Sequence, residues 1–148
     1  MKRTIAFFGH RNIFRNDVRE ELKRTVELCL CEEVCCLIGI YGDFDKLALS
    51  VCRELKKVYT QMKIIMVFSS VNILKNNCRE IYEDVETMIY DIEQEHFKKR
   101  IIVSNRCMVN DCDMVICYVD MKKYGSGARQ AVEYAMKRGK EIINLFQE

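Results

Sequence analysis

Along the chain, short apolar runs alternate with longer stretches in which apolar residues return every third or fourth position. The first run, Thr4-Ile5-Ala6-Phe7-Phe8, stops at Gly9. A run this short and this apolar is the form of a strand covered on both faces, as in a parallel sheet. Val18, Leu22, Val26, Cys29 and Leu30 then recur at helical spacing among Asp17, Arg19, Glu20, Lys23 and Arg24, which predicts an amphipathic helix with Asn16 as its N-cap. Val34-Cys35-Cys36-Leu37-Ile38 predicts a second strand, closed by Gly39 and Gly42. Phe44, Leu47, Ala48, Val51, Cys52, Leu55 and Tyr59 form the apolar stripe of a second helix. Lys63-Ile64-Ile65-Met66-Val67-Phe68 is a third strand, ended by Ser69-Ser70. The order β-α-β-α-β implies a parallel sheet with right-handed crossovers.

Residues 71–95 read as a helical turn followed by a short strand within Thr87-Met88-Ile89-Tyr90-Asp91-Ile92, although Ile81, Val85, Met88, Ile89 and Ile92 also fit helical spacing. A helix is predicted over about Phe97 to Asn110, with Arg100 and Arg106 on it or at its edge. Met114-Val115-Ile116-Cys117-Tyr118-Val119 predicts another strand. After a loop from Asp120 to Ser126, Ala128, Ala131, Val132, Ala135 and Met136 share one face of a helix. Gly139 fits the left-handed position that ends it, and Glu141-Ile142-Ile143-Asn144-Leu145-Phe146 is the last strand. The pattern predicts an α/β fold with a mostly parallel central sheet. With no proline, repeat or low-complexity stretch, residues 1–148 are expected to form one domain.

Composition narrows the function classes. Hydrophobic residues at 49% and charged residues at 31% match an ordinary globular protein. The 24 basic and 22 acidic residues leave a net charge of +2 without a block of one sign, so a nucleic-acid partner is not indicated and any bound anion should be small. No apolar run approaches the roughly 18 residues of a membrane span, and Met1-Lys2-Arg3 precedes an apolar stretch too short for an export signal; the expected location is cytoplasmic. Nine cysteines, an odd number, are expected to be reduced thiols. Neither Cys29, Cys31, Cys35 and Cys36 nor Cys107, Cys112 and Cys117 has paired zinc-site spacing, so core packing is the expected role and no metal is implied.

Candidate chemistry lies in the turns. Five of the six glycines, Gly9, Gly39, Gly42, Gly125 and Gly127, follow three of the apolar strands. Turn geometry explains any one of them. Together they point to a shared pocket beyond the strand ends, where backbone N–H groups and helix N-termini favour anions. Gly125-Ser126-Gly127 opens a helix and can present amides and a hydroxyl to a phosphate, although it is neither a Walker A loop nor a complete Gly-x-Gly-x-x-Gly fingerprint. Arg11 offers a planar fork to phosphate or carboxylate, and His10 can donate to an anion or shuttle a proton. Asp43 is expected to cap the second helix. Asp45 has two open roles, accepting from a ribose hydroxyl or ordering its loop.

Phe7-Phe8-Gly9-His10-Arg11, Gly39-Ile40-Tyr41-Gly42-Asp43-Phe44-Asp45-Lys46-Leu47-Ala48, Arg106-Cys107-Met108-Val109-Asn110-Asp111-Cys112-Asp113 and Gly125-Ser126-Gly127 together resemble the YpsA/YoqJ-like family of the SLOG superfamily, over nearly the whole chain. That superfamily also includes the DprA and LOG proteins. The resemblance implies a Rossmann-like three-layer sandwich that binds a phosphate-bearing, nucleotide-derived ligand, a nucleotide or an ADP-ribose-like molecule, for sensing or sequestration. It carries Gly9, His10, Arg11, Gly42, Phe44, Asp45, Arg106 and Met108 into the family's motifs, and Asp113 onto the aspartate that begins the next strand. It also implies a homo-oligomer, and no separate cofactor is expected.

The alternative activity is that of an N-glycosidase or phosphoribohydrolase, with Asp45 or Glu133 as the catalytic carboxylate and Arg11 or Arg106 holding phosphate. The chain departs from the family pattern at two places, and the second weighs against hydrolysis. Asp43 stands where the family usually has glycine. Gly127-Ala128-Arg129-Gln130 replaces the glycine-threonine turn and following glutamate of LOG-type hydrolases, and an oxocarbenium-like transition state needs such a carboxylate. Single-stranded DNA binding, by analogy with DprA, is the third reading.

Overall fold

The computed structural model describes residues 1–13, 17–70, 84–92 and 96–147. Among the described residues there are six strands and four helices: β1 (Lys2–Gly9), α1 (Val18–Leu28), β2 (Glu33–Ile38), α2 (Asp43–Val58), β3 (Met62–Phe68), β4 (Glu86–Ile89), α3 (Phe97–Asp111), β5 (Met114–Tyr118), α4 (Gly127–Lys137) and β6 (Glu141–Asn144). The strands form one sheet in the order β4-β3-β2-β1-β5-β6, and every neighbouring pair is parallel. This is the parallel α/β fold that the alternation implied, in the Rossmann-like form that the resemblance implied.

The apolar runs are buried on both sides for the expected reason. Ile5, Phe7, Cys36, Ile38, Ile64, Met66 and Ile116 pack with Val18, Leu22, Phe44, Val51 and Leu55 in the layer of α1 and α2. The intervening strand residues Ala6, Phe8, Leu37, Val67, Val115 and Cys117 pack with Met108, Val109, Ala131, Val132 and Ala135 in the layer of α3 and α4. Successive strand side chains alternate faces, so each run serves two helix layers. Six of the eight described cysteines, including Cys36, Cys52 and Cys117, are buried in these layers. Burial pushes the Cys117 thiol up to about 12, which keeps it protonated and inert as a nucleophile.

Several boundaries differ from the periodicity. The strand expected within residues 87–92 is β4, paired with β3 from Ile65↔Glu86 to Phe68↔Ile89. The helical turn proposed before it falls on residues outside the described ones, as does the Asn16 cap. The last strand ends at Asn144 rather than Phe146 because the Asn144 side chain turns back on β5, accepting from Val119 N at 3.1 Å and donating to Val119 O at 2.8 Å. Gly139 takes φ +70°, with its N–H on Met136 O and that of Lys140 on Ala135 O, the paired bonds of a Schellman stop.

The sheet order creates the crevice. From β1 the chain steps outward through β2, β3 and β4, then returns through α3 to place β5 on the other side of β1. Connections therefore leave β1 and β5 in opposite directions, and a gap opens beyond their carboxyl ends.

Candidate functional site

A cavity of about 540 Å³ occupies that gap, lined by the turns after β1, β2 and β5, by α3 and by Phe146. Its size is in the range of small-molecule sites.

In the turn after β1, His10 N donates to Tyr118 O at 3.1 Å, while Asp120 N donates to His10 Nε2 at 2.8 Å. Nε2 thus acts as an acceptor, so the imidazole is neutral with its proton on Nδ1. Burial lowers the His10 pKa first and the Lys123 charge adds to the fall, against a smaller rise from Asp120. The ring meets Tyr118 and Phe146 edge-on, with centroids 6.4 and 6.3 Å away. Arg11 follows, exposed on the cavity wall, and its guanidinium has no hydrogen-bond or ion-pair partner among the described residues.

The second turn is tied to the first. Asp43 N donates to Arg11 O at 2.8 Å, and the Asp43 carboxylate accepts from Ile13 N at 3.2 Å. The expected cap is therefore corrected: α2 begins at Asp43 itself after Gly42, so its side chain lies inside the helix and fastens the neighbouring loop instead. Asp45 Oδ2 accepts from Tyr41 N at 2.8 Å, and Gly39 lies against the same oxygen. Of the two roles left open for Asp45, loop ordering is thus realised. The Tyr41 hydroxyl in turn hydrogen-bonds Ser69 Oγ beyond β3. Burial raises the Asp45 pKa to about 6, partly opposed by the Tyr41 N–H. Asp45 lines the cavity as a carboxyl that titrates near neutrality, the property expected of an acid or base rather than of a fixed charge.

In the third turn, Asp120 Oδ1 accepts from Lys122 N at 2.9 Å, and Gly125 takes φ +82°, a left-handed conformation that suits glycine. Ser126 then caps α4, its Oγ accepting from Arg129 N at 2.9 Å. The hydroxyl keeps its own proton to donate. Ser126, Gly127 and Ala128 face the cavity at this helix start, with Lys123 beside them.

Of the residues singled out by sequence, the cavity brings together Gly9, His10, Arg11, Gly39, Asp45, Gly125, Ser126 and Gly127, and also Met108. Others lie elsewhere. Gly42 packs on the Arg11 backbone, where a Cβ would come within 2.5 Å of Arg11 Cα. Arg106 is exposed with its guanidinium 5.4 Å from the Tyr134 ring centroid. Glu133 sits 2.9 Å from Arg129 Nε on the outer part of α4. Helical rotation explains Arg106: α3 turns Ile101, Asn105 and Met108 inward, and the residue after Asn105 points about 100° away. Asp113 is also remote, joining the opposite ends of β1 and β5 by accepting from Thr4 N at 2.8 Å.

Sequence reading missed Asn12, Tyr41, Asn105, Tyr118, Asp120, Lys123 and Phe146 on the walls. Tyr41 had a signal, its place inside the second glycine turn. Asn105 and Phe146 had none, because only the sheet order carries α3 and the end of β6 to this crevice. Among the described residues no cluster of His, Cys, Asp or Glu could hold a metal ion.

No protein-family model matches the chain, and no curated protein sequence does. Among solved structures, DNA processing protein A (DprA) from Streptococcus pneumoniae superposes with a TM-score of 0.68 at 17% identity, over 96% of this chain and 50% of that one. DNA processing protein A from Helicobacter pylori, whose structure concerns its single-stranded DNA binding mode, gives 0.68 at 18% identity over 98% of this chain and 66% of that one. The chain thus spans between half and two thirds of these neighbours' lengths. At such identities the likeness is one of architecture, and this chain has the Rossmann-like fold found in part of the DprA proteins.

Proposed function

We propose that the chain binds a phosphate-bearing, nucleotide-derived ligand, a nucleotide or an ADP-ribose-like molecule, in the cavity at the β1–β5 crevice, and that it does so as a YpsA/YoqJ-like protein for sensing or sequestration. One observation carries the reading: the start of α4, with Ser126, Gly127 and Ala128, opens on the same cavity as Arg11 and Lys123. The amides at a helix start favour negative charge, and two cations without an ion-pair partner among the described residues add to that preference. Tyr118 and Phe146 supply apolar wall for the rest of the ligand. Native mass spectrometry of protein purified from cells tests it. A retained small molecule with a phosphate-containing mass is the expected result, on a chain that is itself more than one copy per particle. Protein that carries none, and binds none of a panel of nucleotides, sinks the reading.

A second reading has its own observation. Asp45 lines this cavity with a pKa raised to about 6, so it can exchange a proton near neutral pH. That supports N-glycosidic hydrolysis with Asp45 as the acid or base. Glu133 is held against Arg129 outside the cavity lining, so this reading uses Asp45. Asp45→Asn should then abolish release of base from nucleotides while leaving binding intact; equal turnover in both proteins removes the assignment. Single-stranded DNA binding rests on the fold shared with DprA, and a salt-dependent gel shift decides it.

A further inference from the structure

Resting on the phosphate-binding reading above, we infer that the ligand carries an aromatic base and that Tyr124 is the platform on which that base stacks. Tyr124 lies in the loop between β5 and α4, between Lys123 and Gly125, both of which line the cavity. It is 84% exposed, the most exposed large apolar side chain among the described residues. Yet the ring is held. The Arg129 guanidinium lies over one face at 4.3 Å from the centroid.

Arg129 is itself fixed. Its side chain is only 17% exposed, its own N–H donates to Ser126 Oγ, and its Nε lies 2.9 Å from Glu133 Oε1, at ion-pair distance without hydrogen-bond alignment. A line of side chains from Glu133 through Arg129 therefore holds Tyr124 next to the lining residues Lys123 and Gly125, though not among them. With Arg129 on one face and so much of the residue exposed, the other face of the ring is open to solvent. An ordered aromatic ring with one face free offers a base a stacking surface without the entropic cost of immobilising it on binding.

Position selects the occupant. Tyr124 and Ser126 are two residues apart, so their Cα atoms are separated by at most about 7 Å. A phosphate at the start of α4 leaves the base of the same nucleotide within reach of the Tyr124 ring. Between them Gly125 takes φ +82° and has no atom beyond its chain neighbours within 4 Å of where a Cβ would be, so no side chain or distant segment crowds that point of the turn. Stacking is tolerant of which base it receives, so Tyr124 would select for the presence of a base rather than its identity. Glu133 and Arg129 then serve to hold that ring.

The test compares adenosine 5′-monophosphate with ribose 5-phosphate, which differ only by the base. The chain has no tryptophan, so Tyr124→Trp creates a sole indole reporter. Adenosine 5′-monophosphate should quench its emission, and ribose 5-phosphate should bind without quenching. By calorimetry, Tyr124→Ala should weaken adenosine 5′-monophosphate binding at least about 5-fold and leave ribose 5-phosphate unchanged, whereas Tyr124→Phe restores the former. If the two ligands bind the wild-type protein equally and Tyr124→Ala changes neither, the platform is wrong while the phosphate site stands. If neither ligand binds, the platform falls, and the phosphate-binding reading falls with it only when the nucleotide panel also fails to bind.

Discussion

The glycines of the first two turns and those of the third look alike in sequence and do opposite things. A Cβ on Gly9 would lie 2.2 Å from Phe44 Cγ, and one on Gly42 would lie 2.5 Å from Arg11 Cα. Both are glycine because the protein itself fills the space. Around Gly125 and Gly127 nothing lies within 4 Å of an added Cβ. There, glycine leaves backbone bare to the cavity. Clustered glycine is therefore two signals, one of internal close packing and one of open main chain, and only the second bears on a ligand. Gly39 is intermediate, 3.2 Å from Asp45 Oδ2, so its smallness makes room for a polar group of the site.

The largest test of this contrast is Gly9→Ala. The clash is with the buried Phe44 ring at the start of α2, and the strand end and helix must separate to relieve it. A loss of about 3 kcal/mol is expected, a fall of roughly 6–10 °C in Tm by thermal denaturation. A Tm within a degree of the parent would show that the first turn is as open as the third.

Asp45→Asn should act in the other direction. The ordinary carboxyl pKa of 3.8 is raised to about 6 in the fold, so the folded state disfavours the ionised form. Below pH 3.8 the group is protonated in both states and contributes nothing. Between about 4 and 6 the unfolded chain releases its proton first, so stability falls as pH rises, and above 6 the full penalty is present. Because the cavity admits water, that penalty is set at about 1–2 kcal/mol rather than the full value of the shift. Urea denaturation at pH 7 should show Asp45→Asn more stable by this amount, with the pH 4–6 slope flattened. A difference in stability between parent and Asp45→Asn that does not grow between pH 4 and 6 contradicts the buried carboxyl.

The smallest effects on stability belong to the third turn, and they separate its two glycines. Gly125→Ala must hold an alanine at φ +82° and should cost about 1 kcal/mol through backbone strain alone. Gly127→Ala has neither strain nor clash, so its stability should stay within about 0.5 kcal/mol. Its effect should appear in ribose 5-phosphate affinity, reduced several-fold as the methyl group narrows the approach to the α4 amides. A Gly127→Ala protein that binds normally would leave the open turn without a ligand to serve.

Much of the fold was legible because burial leaves a one-dimensional trace. Runs such as Cys35-Cys36-Leu37-Ile38 are apolar at every position since two helix layers cover the sheet, and the helices showed their single buried stripe at 3.6-residue spacing. The trace weakened where burial did. β4 is an edge strand with two exposed residues out of four, and its run fitted a helix equally well. The candidate site was legible where it lay on the turns directly after strands, as at Gly9, His10, Arg11, Ser126 and Gly127. It was misread wherever a side chain's direction mattered. Arg106 and Asn105 are neighbours in sequence, and rotation about α3 alone sends one to Tyr134 and the other to the cavity.

By itself, then, the sequence determined the alternation of elements, the parallel character of the sheet and the turns that could meet a ligand. These depend on local periodicity and on the chain's need to cover both sheet faces. Only the tertiary structure decided that β5 returns beside β1, and with that which walls meet: Tyr118 and Phe146 beside His10, Lys123 beside Ser126, Asp45 facing the same space. It also decided which glycines are filled by the protein and which are bare, because the space beside a residue is set by chain segments far away in sequence. Phe44 lies 35 positions from Gly9, and no pattern within a helical or strand repeat spans that distance.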